Sequence, residues 1–191
     1  MSAQILKSIA SRRTIYALKP ELPTELSIKN VQATVQSIIK DVPTAFNSQG
    51  NRAVILTGAT HKAVWDSVAN AIDSPAGKKR PESVRDEAAG SVIFFTDDKV
   101  TEGLQENFPA FASAFPDFAN HSSGAAQIDS WTALEASGLG AHLQHYNGYV
   151  KAALGSKIPE NWTVQAQLCF GTPAAPAGEK TYIENPVDIL E

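Results

Sequence analysis

The sequence predicts an α+β domain, a small central sheet covered by helices. Three observations carry that expectation. Amphipathic helical stretches outnumber strand-like runs, long helical segments keep those runs apart, and no repeat or low-complexity tract intervenes. A single domain spanning 1–191 is the natural reading of a 191-residue chain. Such a length buries about 70% of the surface exposed by the unfolded chain, enough for a core without staples.

Residues 2–12 read as a helix, with Ser2 a candidate N-cap and Ile5, Leu6 and Ile9 on one face. Pro20 and Pro23 mark an extended connection, since proline and the residue before it resist helix. A second helix over about 25–40 sets Leu26, Val31, Val35, Ile38 and Ile39 near one stripe before Pro43 stops it. Asn47 to Asn51 reads as a loop, and Ala53 to Thr57 as a short buried strand closed by Gly58. A helix with Val64, Trp65, Val68 and Ile72 follows. The polar stretch around 73–83 holds Lys78, Lys79 and Arg80 among Pro75, Gly77 and Pro81, with Arg85 nearby, and reads as a solvated loop.

Ser91 to Thr96 is the clearest strand. Phe108, Phe111, Phe115 and Phe118 fall at steps of three and four, one helical face over 107–119. That face reads as core, or as the aromatic wall of a pocket for a flat ligand. A helix over about 123–137 carries Ile128, Trp131 and Leu134 and ends in Gly138-Leu139-Gly140. From Val164 to Phe170 apolar and polar residues alternate, as in a half-exposed strand. The segment of about 173–191 turns apolar again at Tyr182, Ile183, Val187, Ile189 and Leu190. It is either an arm on a partner subunit or a return to the chain's own sheet.

Composition narrows the function classes. Hydrophobic residues at 43% and charged ones at 19% describe an ordinary globular protein. A formal charge of -4 argues against a nucleic-acid partner. No run of about 18 apolar residues occurs, and the N-terminus is too polar for a leader, so a cytoplasmic protein without a membrane partner is expected, a nuclear location remaining open. Phosphate-loop, zinc-protease, nucleophile-elbow and Rossmann signatures are absent. His142 and His145, three apart, would share a helical face, but no third ligand stands near, so no metal is expected. Cys169 has no assignable base and reads as packing.

What remains is a set of polar and glycine-bearing segments beside structural elements. Ser11-Arg12-Arg13-Thr14 offers two guanidiniums and a hydroxyl, a cradle for a phosphate monoester or a complement to the helix dipole. Thr44 to Gln49 supplies neutral donors and acceptors for a heterocycle edge, or a capped turn. Gly138 and Gly140 allow close approach of a flat ligand, or a left-handed helix cap.

The order of these segments resembles the nitroreductase family. Arg12-Arg13-Thr14-Ile15-Tyr16, then Pro43-Thr44-Ala45-Phe46-Asn47-Ser48-Gln49 before a strand, then Gly138-Leu139-Gly140 carry the resemblance. The stretches Pro43–Arg52, Ser91–Asp97 and Trp131–Asn147 look most like a short fungal and bacterial subgroup, the fatty-acid-repression-mutant type. The resemblance implies a central antiparallel-rich sheet in an intertwined homodimer that binds FMN. NADH or NADPH would reduce the flavin at N5, and a nitroaromatic or quinone-like flat acceptor would reoxidise it in ping-pong fashion, with no catalytic side chain required.

By the same resemblance, Arg12, Arg13 and Thr14 hold the FMN phosphate and ribityl chain. Pro43, Thr44, Phe46, Asn47, Ser48 and Gln49 cover the flavin from the other subunit, and Gly138, Leu139 and Gly140 lie along it near N5 and O4. Lys180 is the candidate for the basic residue that meets the phosphate near the C-terminus. Two departures matter. Tyr16 stands where the family often has a cation near flavin N1 and O2, and Ala45 where a second serine is common. The subgroup's association with fatty-acid signalling and stress responses raises an alternative, a flavin-binding regulator with incidental turnover.

Overall fold

The computed structural model describes residues 2–191. Seven helices surround a five-stranded antiparallel sheet. The helices are α1 (Ser2–Ser11), α2 (Ile28–Asp41), α3 (Gly58–Asn70), α4 (Pro75–Glu87), α5 (Asp98–Asn107), α6 (Phe115–Ala136) and α7 (Asn147–Leu154). The strands are β1 (Leu18–Lys19), β2 (Asn51–Thr57), β3 (Gly90–Asp97), β4 (Gly140–Gln144) and β5 (Trp162–Pro173). β5 is the hub. It pairs with β3 along one edge and with β4 and then β1 along the other, while β2 closes the far side of β3.

Period-two alternation on β3 sorts the core into two halves. Val92 and Phe94 face Val31 and Val35 of α2 and Trp131 and Leu134 of α6. Ile93 and Phe95 face Val64, Trp65 and Val68 of α3 and Val150 and Leu154 of α7. Helices therefore cover both faces of the sheet, which corrects the reading of Val164 to Phe170 as half exposed. Gln167 and Cys169 are as fully buried as Leu168 and Phe170. Gln167 is tolerated there because its amide donates to Asn147 Oδ1 at 2.8 Å and accepts the Tyr146 N–H at 2.7 Å. Burial pushes the Cys169 thiol up to about 12, so it is packing rather than a nucleophile.

The expected loop around 73–83 is helix α4. Ser74 caps it by accepting the Gly77 N–H, and Pro75 occupies the first turn, where a missing N–H costs nothing. Pro81, about 1.7 turns further on, is accommodated inside the helix and buried. The phenylalanines do not share one helix. Phe108 follows α5, Phe111 sits in a 3-10 segment over Pro109–Ala114, and Phe115 opens α6. α6 thus begins eight residues before the expected start, and β4 and α7 lack any expectation from the sequence. Ser2 lies within α1 rather than capping it. His142 lies on a strand, not on a helix with His145, so the two do not share a helical face.

Two apolar surfaces have no cover within the chain. Ile5, Leu6 and Ile9 of α1 are all more than half exposed, and α1 buries no residue. Beyond Pro173 the chain has no helix or strand, and Tyr182 to Leu190 project their apolar side chains outward. The tail does not return to the chain's own sheet. No helix among the described residues is long and apolar enough to cross a membrane.

Candidate active site

The residues singled out from the sequence fall into two groups. The first forms where the chain leaves α1 and runs beside β4. Thr14 makes a parallel bridge with Ala141, and the Ile15 N–H donates to the Ala141 carbonyl at 2.9 Å. Glu135, near the end of α6, fixes the approach. It accepts the Arg13 backbone N–H at 2.7 Å and the Trp131 indole N–H at 3.0 Å. Burial raises its carboxyl above the usual range, against these two donors and the Arg12 charge. The Arg12 guanidinium lies 4.3 Å from the Trp131 ring centroid, a cation–π stack that leaves its N–H edge free. A groove of about 550 Å³ between α1 and α6, lined by Ile5, Ile9, Arg12 and Ile128, opens beside it.

The three residues after α6 play different parts. Gly138 has φ +92 and nothing within 4 Å of where a Cβ would sit, so a ligand can approach its backbone. Leu139 is core. Gly140 is bare for a local reason, because a Cβ would meet Leu18 at 2.9 Å, Pro173 at 3.1 Å and Ile15 at 3.2 Å.

Beside them stand three side chains, Tyr16, His142 and Arg80, stacked on one another. Tyr16 packs on His142 with ring centroids 5.3 Å apart, and the Arg80 guanidinium of α4 covers the Tyr16 ring at 4.2 Å. His142 Nδ1 accepts from Gln144 Nε2 at 3.0 Å, which puts any ring proton on Nε2. Burial first, and Arg80 second, push His142 down to about 4, so the ring is neutral at pH 7. Arg80 was hidden in the sequence by the prolines around it, although Ser74-Pro75 is itself a helix-start signal.

The tail reaches this first group. Gly178 accepts from the Arg13 guanidinium at 2.5 Å. Lys180 follows two residues later, exposed, with Nζ 5.0 Å from the Tyr182 ring centroid.

The second group is the turn after α2 and the exposed Pro43. Phe46, Asn47 and Gln49 all have positive φ, at 57°, 49° and 52°. Side chains hold that turn. Thr44 Oγ1 accepts the Gln49 N–H at 2.9 Å, and Arg52 donates to the Gln49 and Asn51 carbonyls at 2.6 and 2.9 Å. Arg52 also pairs with Asp97 at 2.9 Å, whose other oxygen accepts from Asn161 at 2.6 Å. The turn pushes Phe46 into an aromatic cluster, 4.6 Å from Phe108, 6.4 Å from Phe111 and 5.4 Å from Phe115 between ring centroids. Phe115 is buried, whereas Phe46, Phe108 and Phe111 are 53%, 40% and 54% exposed, an open aromatic wall. Thr44 and Ser48 line a narrow cleft beneath it.

The two groups contact opposite ends of α6. Phe46 packs on Phe115 in its first turn, and Arg12 on Trp131 near its last. Sixteen residues of helix put about 24 Å between those contacts. Among the described residues no three metal-ligating side chains cluster.

Comparison with known proteins gives this arrangement a lineage. The nitroreductase family profile matches residues 9–172. The HBN1 protein of Saccharomyces cerevisiae, named as a nitroreductase, is 74% identical over 188 residues, covering 98% of this chain and 97% of its own. The nitroreductase FRM2 of the same yeast is 60% identical over 96% of this chain and 95% of its own. Among solved structures, the nitroreductase CinD of Lactococcus lactis in complex with chloramphenicol superposes with a TM-score of 0.86 at 38% identity, covering 94% of this chain and 95% of its own. CinD has also been solved with nicotinic acid and with 4-nitrophenol. A nitroreductase of Desulfovibrio desulfuricans in complex with FMN shares the fold at a TM-score of 0.70 and 18% identity. With the profile spanning most of the chain and these relatives matching along nearly their whole length, this chain belongs to the nitroreductase family of oxidoreductases.

Proposed function

We propose that the protein is an FMN-dependent oxidoreductase that draws electrons from NADH or NADPH, reduces nitroaromatic or quinone-like acceptors, and works as a homodimer. One observation carries this reading, the split of the candidate ligand residues between the two ends of α6. A span of about 24 Å exceeds the reach of the isoalloxazine together with its ribityl phosphate, so one chain cannot bring both groups to one FMN. Two chains can, each giving its Arg12 end to one site and its Phe46 end to the other. The uncovered faces of α1 and of the tail supply apolar surface for such an interface, the tail as an arm on the partner.

The residues fit the cofactor. Arg12, Arg13 and Thr14 form a donor set suited to a phosphate monoester, and Arg12 lines a groove beside its stack on Trp131. The open space over Gly138 admits a flat ring edge. Lys180 is two residues from the Gly178 carbonyl that already meets Arg13, within reach of the same phosphate. Bound flavin supplies the chemistry by accepting a hydride from the nicotinamide and passing electrons on to the acceptor in alternation. The protein's part is positioning. Thr44, Asn47, Ser48 and Gln49 hydrogen-bond the heterocycle, and the Phe46, Phe108 and Phe111 wall stacks a flat acceptor and excludes water. The aromatic ligands of CinD, among them a pyridine carboxylic acid, support a pocket for nicotinamide-like and nitroaromatic rings in turn.

The test is an absorbance spectrum of the purified protein before and after FMN and desalting, with its mass in solution. About one retained flavin per chain in a dimer, with NAD(P)H oxidised rapidly by a nitroarene, is the expected result. A monomer, or a protein that retains no flavin, overturns the proposal. Retained flavin with negligible turnover would turn the reading toward a flavin-binding regulator.

A further inference from the structure

Glu135 is a costly residue for its place. It is half buried, and burial lifts its carboxyl above the usual range against the groups that favour its charge. In return it forms a junction. Its Oε2 accepts the Arg13 backbone N–H at 2.7 Å, and its Oε1 accepts the Trp131 indole N–H at 3.0 Å. The Ala141 amide and the Arg12 charge also favour its ionised form. Three pieces of chain meet there, the segment leaving α1, the last turns of α6 and the start of β4. Thr14, next after Arg13, bridges to Ala141 and closes the same junction. A carboxylate serves every donor at once, whereas an amide would accept at its oxygen and turn its own N–H toward the other donor. The same carboxylate stands beside the donor set suited to a phosphate monoester. As a charge it works against such a ligand, because like charges repel more strongly in a half-buried site than in water. Its value there is geometric.

We propose that Glu135 is the positioning residue of the phosphate cradle, holding the Arg13 backbone and the Trp131 ring so that both guanidiniums start from fixed points before the ligand arrives. This rests on the FMN reading above. Glu135 reaches Arg13 directly, through the peptide N–H. It reaches Arg12 through the indole on which that guanidinium stacks at 4.3 Å. Fixing a peptide and a ring in advance removes an ordering cost from binding. The gain falls on the phosphate end of the flavin alone. Riboflavin, which has the same ring and ribityl chain without the phosphate, draws nothing from it.

The experiment titrates FMN and riboflavin, by quenching of flavin fluorescence, into the full-length protein after its flavin has been removed. Glu135→Gln keeps the shape and loses one charge-assisted hydrogen bond. It is expected to weaken FMN about tenfold while riboflavin stays within about threefold. Charge alone predicts the opposite sign, since removing a carboxylate beside a phosphate should tighten FMN. A preference for FMN over riboflavin that is unchanged or increased in Glu135→Gln therefore overturns the proposal. An equal loss for both flavins overturns it too, because that is the mark of a merely structural residue. Asp129, an exposed carboxylate of α6 lining the same groove as Arg12, is the control, and Asp129→Asn should not lower the preference. A fall there equal to that of Glu135→Gln overturns the proposal. In a background of Arg12→Gln with Arg13→Gln, adding Glu135→Gln should cost little further preference, and full additivity overturns the proposal. Were Glu135→Gln to unfold, Trp131→Phe removes one donor and keeps an aromatic ring beneath Arg12. A fall of about threefold in the same preference is then expected, and no fall overturns the proposal. Failure of the unaltered protein to bind FMN, or to prefer it to riboflavin, would instead overturn the reading on which this one rests.

Discussion

Replacing Arg52 with methionine tests whether the turn before β2 is held in place from outside. The turn stores strain, because Phe46, Asn47 and Gln49 all sit in the left-handed region, at about 1–2 kcal/mol apiece for residues with a Cβ. A helix or strand would spread such a cost over a ladder of hydrogen bonds, which this turn lacks. Arg52 donates to the Gln49 carbonyl, the Asn51 carbonyl and Asp97, and its side chain is 31% exposed. Charged hydrogen bonds contribute about 1.5–3 kcal/mol when buried. Discounting for solvent screening leaves about 2 kcal/mol for the set. Methionine keeps the aliphatic packing and removes those bonds, together with the 6.0 Å contact of the guanidinium over the Trp162 ring. The assay is native-state hydrogen exchange at the amides of Asn47, Ser48 and Gln49, which donate to Thr44, Ala45 and the Thr44 hydroxyl. Their exchange should rise about thirtyfold, at about 1.4 kcal/mol per tenfold. Because the opening is local, the melting temperature should fall by no more than about 4–8 °C. Exchange unchanged within about threefold would refute the reasoning and leave the Thr44 hydroxyl and the Phe46 ring as the anchors of the turn.

Four further outcomes follow from particular positions. Gly171→Ala puts a Cβ 2.5 Å from the Lys19 carbonyl and 3.3 Å from the Ala89 nitrogen, both backbone, so a loss of about 2–3 kcal/mol is expected in urea denaturation. Gly124→Ala, at an exposed position of α6 with nothing within 4 Å, should instead gain up to about 1 kcal/mol by helix propensity. His142 gives a pH dependence. Its folded value of about 4 lies below the unfolded 6.5, so its contribution is complete above pH 6.5 and is lost as pH falls through 4, about 3 kcal/mol in all. His142→Gln should flatten urea midpoints measured between pH 7 and pH 4. Truncation after Gly178 removes only residues that pack nothing within the chain, so far-UV circular dichroism should be preserved while dimer dissociation in sedimentation becomes easier.

Much of the fold was legible where periodicity had one cause. β2 and β3 are short apolar runs between turn signals, and the α2 stripe, with its Ser27 cap, faces one core half as its spacing predicts. Alternation misled at β5 because Gln167 and Cys169 satisfy their polar atoms internally, on a face that polarity alone assigns to solvent. Proline misled at α4, where Pro75 is a start signal and Pro81 was read as a breaker. β4 was hidden behind the glycines that end α6. For the candidate site, the sequence marked segments but not their geometry. Arg12 to Thr14 and Gly138 do come together beside β4, yet nothing local says that the Phe46 turn lies a helix length away. Arg80 was legible only as one charge in a basic cluster, since its place depends on a ring sixty-four residues earlier.

The hub strand also sets a timetable for the protein's birth. β5 begins at Trp162, yet β1, β3 and β4 all lean on it. Before it emerges, the nascent chain can assemble only the β2–β3 ribbon and its neighbouring helices, with the apolar edge of β3 unmatched. At roughly 5–20 residues per second that interval lasts several seconds. An unmatched edge with the composition Val92-Ile93-Phe94-Phe95 is the kind of template on which neighbouring nascent chains pair wrongly. Solubility during synthesis should therefore depend more on how quickly the last third of the chain is delivered than on the stability of the finished domain. Slow codons between β3 and β5 would lower the soluble yield without altering a single residue.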